Sequence, residues 1–297
     1  MPLATLAASL ICSDDFAENA KTPVLLLSGT SVDPFEQYDW NYIPVLEAAG
    51  YPWCVSIAPE QNTGDIQIRA EYVVHAIRTM SSRAGRKIAI VGHSQGGMVP
   101  RWALRFWSDT RAMVSEVIAA SPSNNGSQTA RGQCSLPCAA AFWQQRDNAN
   151  FIAALNQPVQ TFAGISYTSI YTELDEVVVP ATSAVLTTGN GRIANISLQS
   201  LCPGHLADHL ATGTFDAPTL ALVLDALAHD GPADVTRIDP AVCQQLAAPG
   251  VVKPLVALDA LRAAVNLTMG LTVKSTRLTS EPALACYVTQ TCSLSSR

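Results

Sequence analysis

The chain has 297 residues and a formal net charge of −6, with 18 Lys and Arg against 24 Asp and Glu. It shows no cluster of basic residues, so nucleic acid is not an expected partner. Hydrophobic residues make up 48% of the chain, yet no uninterrupted apolar run reaches about 18 residues, so no transmembrane segment is predicted. A chain of this length buries a full core without a structural metal. We therefore expect a globular monomer that needs no metal or organic cofactor.

The eight cysteines indicate an oxidising compartment. Their number is even, and their spacing contains neither a C-x-x-C pair nor a zinc-type Cys/His set. Oxidised pairs in a secreted protein are therefore predicted. The opening stretch "MPLATLAASLIC" has no basic region and only a short apolar stretch, so we interpret it as a mature N-terminus with an added Met1 and not as a signal peptide.

Short apolar runs alternate with helical patterns over the first 121 residues. Apolar residues recur at helical spacing in residues 66–81, which predicts an amphipathic helix that covers a sheet. The other predicted helices are 40–50 and 96–107, and the predicted strands are 24–28, 53–58, 87–92 and 116–121. This alternation of near-continuous apolar strands with helices predicts an α/β fold, with a mostly parallel central sheet flanked by helices.

The rest of the chain adds two features to this core. Residues 122–150 are polar and contain two cysteines, so we expect a lid-like insertion there. Residues 230–297 have Pro-rich connections and three cysteines, which suggests a C-terminal extension on a single domain covering 1–297. Between these two regions we predict strands at 159–171 and 192–198 and a helix at 217–229, and in the tail a helix near 254–267.

One serine stands between a predicted strand and a predicted helix. Gly92-His93-Ser94-Gln95-Gly96 matches G-x-S-x-G in the strand–helix context that gives this motif its meaning. A sharp turn there exposes the serine hydroxyl at the carboxyl end of the sheet, and the helix N-terminus behind it favours negative charge. Ser94 is therefore the candidate nucleophile of a hydrolase.

A serine nucleophile needs a base, which should follow it in this chain order. Of the five histidines, His75 precedes the serine and His93 belongs to the elbow itself. His229 ends a sheet-covering helix, where we expect it to be solvated. His205 and His209 follow a predicted strand and are both candidate bases on position alone.

The carboxylate that orients the base should also follow a strand. "YTELDEVVVP" places Asp175 just after the strand that ends near Tyr171. Glu173 and Glu176 are neighbouring rivals, and the sequence position does not separate the three.

Several stretches resemble, in the right order, the Candida antarctica lipase B-like family of α/β-hydrolase-fold serine lipases. They are "PVLLLSGT", "YDWNYIPVLEAAGY", "SQGGMVPRWALRFW", "YTELDEVVVP" and "LADHLATG", and the likeness extends over most of residues 12–230. The resemblance selects Asp175 as the acid and His209 as the base. It also implies an oxyanion hole made by the backbone N–H of Gln95 with the backbone N–H and hydroxyl of Thr30.

The same resemblance bears on His93 and on the cysteines. The family has a tryptophan at the position of His93, where it bounds a pocket for the smaller alcohol substituent, so His93 is a candidate pocket residue. The disulfides that the resemblance implies are Cys12–Cys54, Cys202–Cys243 and Cys286–Cys292, which leaves Cys134 and Cys138 for each other.

The resulting expectation is a secreted serine ester hydrolase, either a lipase or a lipase-like carboxylesterase. Its expected partners are ester substrates, including lipid aggregates, and transfer of the acyl group to an alcohol is a further expected reaction. One alternative is an esterase for short-chain or polymeric esters with little lipase activity. A more remote alternative is a hydrolase-fold protein that binds lipid without catalysis, although such a protein would be expected to lack part of the triad.

Overall fold

A seven-stranded sheet forms the centre of the molecule. The structure is a computed structural model that describes residues 1–13, 19–251, 275–289 and 292. The strands in this part of the chain are β1 (Leu10–Cys12), β2 (Val24–Leu27), β3 (Trp53–Ser56), β4 (Ile88–His93), β5 (Val114–Ala120), β6 (Cys138–Ala139), β7 (Ser166–Tyr171), β8 (Arg192–Ser197) and β9 (Arg277–Leu278).

The main sheet runs in the order β1-β3-β2-β4-β5-β7-β8, and β6 pairs with β9 in a separate ribbon. Every neighbouring pair in the main sheet is parallel except β1 with β3, which are antiparallel. The predicted mostly parallel sheet is thus confirmed. Because the strands are parallel, the segments that follow β4, β7 and β8 leave the sheet at the same edge.

Helices cover both faces of the sheet. The α-helices of the described residues are α1 (Leu3–Ala8), α2 (Pro34–Tyr38), α3 (Tyr42–Ala48), α4 (Ile66–Ala84), α5 (Gln95–Phe106), α6 (Gln128–Gln133), α7 (Ala140–Gln144), α8 (Asn150–Asn156), α9 (Leu198–Leu201), α10 (His209–Thr212), α11 (Ala217–Ala228) and a last one at Cys286–Thr289. Shorter 3₁₀ turns lie at Pro59–Asn62, Ser108–Met113, Ala181–Ala184, Val235–Arg237 and Pro240–Gln244.

The two faces of β2 show why its sequence is apolar throughout. Val24 and Leu26 pack into a cluster with α2, α3 and α11, whereas Leu25 and Leu27 pack into a cluster with α4, α5 and α8. All four side chains are fully buried. Side chains alternate between the faces of a strand, so a strand covered on both faces needs an apolar residue at every position.

Helix α4 follows its predicted pattern closely. It begins after Asp65, whose side chain accepts a hydrogen bond from the Gln67 N–H, and it ends at Gly85, whose φ is 63°. The periodic positions of the sequence pattern are all buried, namely Ala70, Val73, Val74, Ile77 and Met80.

One prediction of secondary structure differs from the structure, one falls outside it, and one strand was not predicted. Within 159–171 only Ser166–Tyr171 is a strand, because Gly164 takes a φ of 77° and turns the chain just before it. Strand β1 was missed because it is only three residues long, too short for an alternating pattern to register. The helix near 254–267 lies outside the described residues.

The lid-like region is attached to the C-terminal tail. Strand β6 pairs with β9, and the Trp143 indole N–H donates to the carbonyl oxygen of Leu278 at 3.0 Å. The Glu281 carboxylate accepts the Phe151 N–H at 2.8 Å, at the start of α8. The tail therefore contacts the lid-like region and the start of α8.

The eight cysteines form the four expected disulfides: Cys12–Cys54, Cys134–Cys138, Cys202–Cys243 and Cys286–Cys292. One segment of the described residues, His209–Ala228, is long and apolar enough to cross a membrane. The most apolar part of this segment is 78% buried inside the fold, as is usual for a core helix.

Candidate active site

Ser94 occupies a strained turn between β4 and α5. Its φ of 55° lies in the left-handed region, which is costly for a residue with a side chain. The glycines on either side permit this turn: a Cβ at Gly92 would overlap the carbonyl oxygen of Gly96, and a Cβ at Gly96 would overlap that of Leu27. The spacing of the motif is thus required by backbone contacts between strand and helix.

Asp175 and His209 meet beside this turn. His209 Nδ1 lies 2.9 Å from Asp175 Oδ2, and both side chains are buried. Asp175 follows β7, and His209 begins α10 beyond β8. Because parallel strands deliver both loops to the edge where β4 ends, residues far apart in sequence come together there.

The rival carboxylates and histidines have other partners. The Glu173 carboxylate accepts a hydrogen bond from the hydroxyl of Ser197 at 2.9 Å, and the Glu176 carboxylate accepts one from the backbone N–H of His209 at 3.3 Å. His205 binds Asp216, which caps helix α11. His229 Nδ1 contacts the carbonyl oxygen of Asp225 at 2.8 Å, at the end of the same helix.

The surroundings of Asp175 keep its carboxylate ionised. Burial raises its pKa, but the His209 ring and the N–H groups of Val177 and Val178 outweigh burial, so the pKa lies below its usual value. Those N–H groups donate to Oδ1 at 3.0 Å and 2.7 Å. An ionised carboxylate only accepts hydrogen bonds, so His209 carries a proton on Nδ1 and can offer Nε2 as a base.

Thr30 and Gln95 lie together at the predicted oxyanion site. The Gln95 side-chain Nε2 donates to Thr30 Oγ1 at 3.0 Å, and its backbone N–H stands at the first position of α5. Asn62 holds the Thr30 loop, because its Nδ2 donates to the carbonyl oxygens of Gly29 and Val32 at 2.9 and 3.1 Å. The first N–H groups of a helix have no partner within it, so that of Gln95 can serve an anion.

Gln145, in the lid-like region, is a residue that the sequence analysis missed. Its Nε2 also donates to Thr30 Oγ1, at 3.0 Å, and its Oε1 accepts the hydroxyl of Ser123 at 2.9 Å. Thr30 Oγ1 therefore accepts from two amides, which leaves the hydroxyl hydrogen as the group that can donate to a substrate. A polar pair within "FWQQ" was the only local signal, and it does not reveal a partner more than a hundred residues away.

His93 packs directly against the candidate base. Its Nε2 contacts the carbonyl oxygen of His209 at 2.9 Å, and the two rings are 4.6 Å apart. Nδ1 is buried and has no hydrogen-bond partner in the described structure. Burial, followed by the nearby His209 ring, lowers the pKa of His93 to about 3, so this imidazole is neutral at ordinary pH. A Cβ at Gly213 would overlap the ring, so the space around it is tight.

The candidate nucleophile, the candidate base and His93 border one cavity. Together with the open solvent at its mouth, its empty space amounts to about 830 Å³. Ser94, His209, Thr30 and His93 lie on its wall. The lid-like region supplies a second wall, made by Ser123, Ser127, Thr129, Ala130, Gln133, Phe142 and Gln145.

The hydrogen bonds of the described residues do not include one between the Ser94 hydroxyl and His209. Such contacts are often long in a site without substrate and tighten when substrate binds. The geometry groups a candidate nucleophile, a candidate base with a carboxylate that can orient it, and candidate donors for an oxyanion, which is the set of groups that acyl transfer requires.

The sheet, the elbow at Ser94 and the chain order of these residues define an α/β-hydrolase fold. Residues 60–209 match the family described as the PGAP1-like alpha/beta domain, and the chain belongs to that family. The chain is also 30% identical to lipase B of Pseudozyma antarctica over 220 residues, which confirms the resemblance drawn from the sequence.

Comparison of structures gives the same fold. Lipase B of Aspergillus fumigatus superposes with a TM-score of 0.89 at 29% identity and covers 97% of this chain and 72% of its own. A Bacillus licheniformis lipase, BlEst2 in its mature form, superposes with a TM-score of 0.54 at 16% identity, over 68% of this chain and 91% of its own. The sequence match with Pseudozyma antarctica lipase B covers 72% of this chain and 64% of that protein's length.

Proposed function

We propose that this protein is a serine ester hydrolase, a lipase or a lipase-like carboxylesterase, that works through an acyl-enzyme. The observation that carries the proposal is the 2.9 Å contact between His209 Nδ1 and Asp175 Oδ2, with His209 on the wall of the same cavity as Ser94. Two relatives named lipase B support the substrate class.

In the first half-reaction, the Ser94 hydroxyl attacks the acyl carbon of the ester while His209 Nε2 takes its proton. Asp175 holds the imidazole in the required tautomer and stabilises its charged form. The carbonyl oxygen of the substrate becomes an oxyanion, which accepts hydrogen bonds from the Gln95 N–H and from the N–H and hydroxyl of Thr30. The oxyanion then collapses, the bond between the acyl carbon and the alkoxy oxygen breaks as that oxygen takes the His209 proton, and the alcohol leaves the acyl group on Ser94.

In the second half-reaction, water enters the position of the alcohol and His209 takes a proton from it. The hydroxide attacks the acyl carbon and forms a second oxyanion. This oxyanion collapses, the bond between the acyl carbon and Ser94 breaks, and the carboxylic acid leaves as His209 returns the proton to Ser94. An alcohol in place of water gives transesterification. Every proton transfer runs through His209, so the cycle needs no cofactor.

The acyl chain length is a separate question for the same site. The cavity has apolar residues such as Phe142 and Leu210 on its wall, which favours apolar acyl groups. Ser127, Thr129 and Gln133 add polar side chains on the lid side, and this polarity favours the alternative of an esterase for short-chain or polymeric esters. A lipase should prefer long acyl chains and emulsified substrate, whereas the esterase should prefer acetate and butyrate.

We propose secretion for the same protein. Four disulfides are typical of extracellular conditions and rare in the reducing cytosol. Ester substrates, including those in lipid aggregates, are the proposed partners, and a monomer is the proposed state.

The test is hydrolysis of p-nitrophenyl esters from acetate to palmitate by the wild type and by Ser94→Ala. Removal of a triad nucleophile costs about 10⁶-fold in kcat, so we expect the variant to lie near background. A Ser115→Ala variant is the matched control, because that hydroxyl donates to the carbonyl oxygen of Ile88 at the opposite end of the sheet. Mass spectrometry after treatment with a fluorophosphonate should find the adduct on Ser94. No turnover and no adduct in the wild type would favour a non-catalytic lipid-binding protein.

A further inference from the structure

Arg69 is a buried cation behind the candidate oxyanion site. It lies on α4, among the apolar positions that pack on the sheet, and its side chain is only 4% exposed. None of the ion pairs among the described residues involves it. A charge in this setting is costly and needs strong hydrogen-bond acceptors.

Both acceptors of Arg69 belong to the oxyanion site. Nη1 donates to the side-chain Oε1 of Gln95, and Nη2 donates to the carbonyl oxygen of Ser28 at 2.7 Å. Ser28 begins the loop that carries Thr30. Burial lowers the pKa of Arg69 to about 9, and this value still leaves the guanidinium charged at neutral pH.

The contact with Arg69 determines how the Gln95 amide is oriented. A guanidinium only donates hydrogen bonds, so the oxygen of the amide must face Arg69 and its NH₂ group must face Thr30. That NH₂ group also donates to the carbonyl oxygen of Asn62 at 2.9 Å, which favours the same orientation.

This orientation affects the hydrogen of the Thr30 hydroxyl. With an NH₂ group against it, Thr30 Oγ1 is an acceptor and its hydrogen is free to point into the cavity. If the amide were reversed, the Gln95 oxygen would accept the hydroxyl hydrogen and take it away from the substrate. The two arrangements differ by one donor at the oxyanion site.

We propose that Arg69 is a positioning residue of the oxyanion hole. Acting through the Gln95 side chain, it keeps the Thr30 hydroxyl available to the oxyanion and places a positive charge behind it. The proposal rests on the proposed ester hydrolysis at Ser94. Arg69 is not on the wall of the cavity, so it acts without touching substrate.

The first experiment compares the wild type with Arg69→Met and Arg69→Lys on one p-nitrophenyl ester. Loss of a whole oxyanion donor costs about 10²–10³-fold in kcat, so we expect Arg69→Met to lose about 10–100-fold in kcat with little change in KM. Arg69→Lys keeps the charge and should recover part of the loss. Affinity for an alkyl boronic acid, which forms a tetrahedral anion on the nucleophilic serine, should fall in parallel with kcat.

A double-mutant cycle with Thr30→Val separates positioning from a general structural effect. If Arg69 acts through the Thr30 hydroxyl, Arg69→Met should cost much less in the Thr30→Val background than in the wild type. An equal loss of kcat in both backgrounds would overturn the proposal.

Arg101→Met is the matched control. Arg101 is also a fully buried arginine, on α5, but its guanidinium binds Asn124, Asn156 and the carbonyl oxygen of Gln160. We expect this variant to lose thermal stability while its folded fraction keeps its kcat and its boronic acid affinity. A similar loss of boronic acid affinity in both arginine variants would contradict a specific role for Arg69.

Gln95→Glu covers the case in which Arg69→Met does not fold. This variant keeps the backbone N–H of residue 95 and pairs the buried guanidinium with a carboxylate, which accepts the Thr30 hydroxyl hydrogen. We expect a folded protein with kcat at least about 10-fold lower, as for loss of an oxyanion donor. Undiminished kcat in a folded Gln95→Glu protein, or in Arg69→Met, would overturn the proposal. If the wild type itself shows no esterase activity, the proposed function fails first.

Discussion

Glu116 offers a test of how burial changes stability with pH. It lies on β5, between Ala89 of β4 and Ser166 of β7, and is 6% exposed. Burial raises its pKa from the ordinary 4.5 to about 8, although the charge of Arg192 opposes this change. The folded protein therefore holds a proton on Glu116 at pH values where the unfolded chain has released it.

The sign of the effect follows from proton linkage. Below pH 4.5 both states are protonated and the group has no effect on stability. Between pH 4.5 and 8 only the unfolded chain ionises, so stability falls as pH rises, and above pH 8 the loss is complete. One pKa unit corresponds to about 1.4 kcal/mol, so the loss between pH 5 and pH 9 is about 4 kcal/mol of unfolding free energy.

Glu116→Gln should remove this loss because glutamine stays neutral and has nearly the shape of the protonated acid. We expect the two proteins to be similarly stable at pH 5 and the variant to be more stable by about 4 kcal/mol at pH 9. The measurement is urea denaturation at each pH unit from 5 to 9. Glu60→Gln, at an exposed position, is the control for the change in net charge. A constant difference between Glu116→Gln and wild type across this range would refute the reasoning, because Glu116 would then be ionised in the folded protein.

Three further outcomes concern the site and its lid. His209→Ala should lose nearly all esterase activity while His205→Ala keeps most of it, and the reverse result would move the base to His205. His93→Trp should narrow the cavity and raise discrimination between small and large secondary alcohol esters by about 1–3 kcal/mol; unchanged selectivity in a folded variant would show that His93 does not bound the alcohol pocket. Replacing Cys134 and Cys138 by serine should lower the unfolding free energy by about 2 kcal/mol, because so short a loop restricts the unfolded chain little. Equilibrium denaturation measures this, and a loss above about 4 kcal/mol, typical of long loops, would contradict the entropic argument.

The sequence by itself determined the elements of the core and the position of the candidate nucleophile. Strands buried on both faces must be apolar at every position, and a covering helix must repeat its apolar residues every three to four positions, so both patterns are local. The turn at Ser94 is local only in part, since the contact that requires Gly92 is with Gly96 of the same motif, whereas the contact that requires Gly96 is with Leu27 of the neighbouring strand β2.

The tertiary structure alone brought together residues that no local pattern relates. By their position in the sequence, His205 and His209 are equally good candidates for the base, and only the family resemblance favours His209. The fold separates them, because His205 contacts Asp216 and His209 contacts Asp175. The sequence patterns do not single out Arg69, and they do not reveal that its partner is Gln95.

The physical reason is the same in each case. The contacts of a loop depend on which strands are neighbours in the sheet and on where their carboxyl ends lie. Here β7 and β8 bring Asp175 and His209 to the edge where β4 presents Ser94, and the lid-like region brings Gln145 to Thr30. These contacts join residues separated by 34 and 115 positions. They depend on how the strands and helices pack together, whereas the sequence of each element specifies only which of its faces is buried.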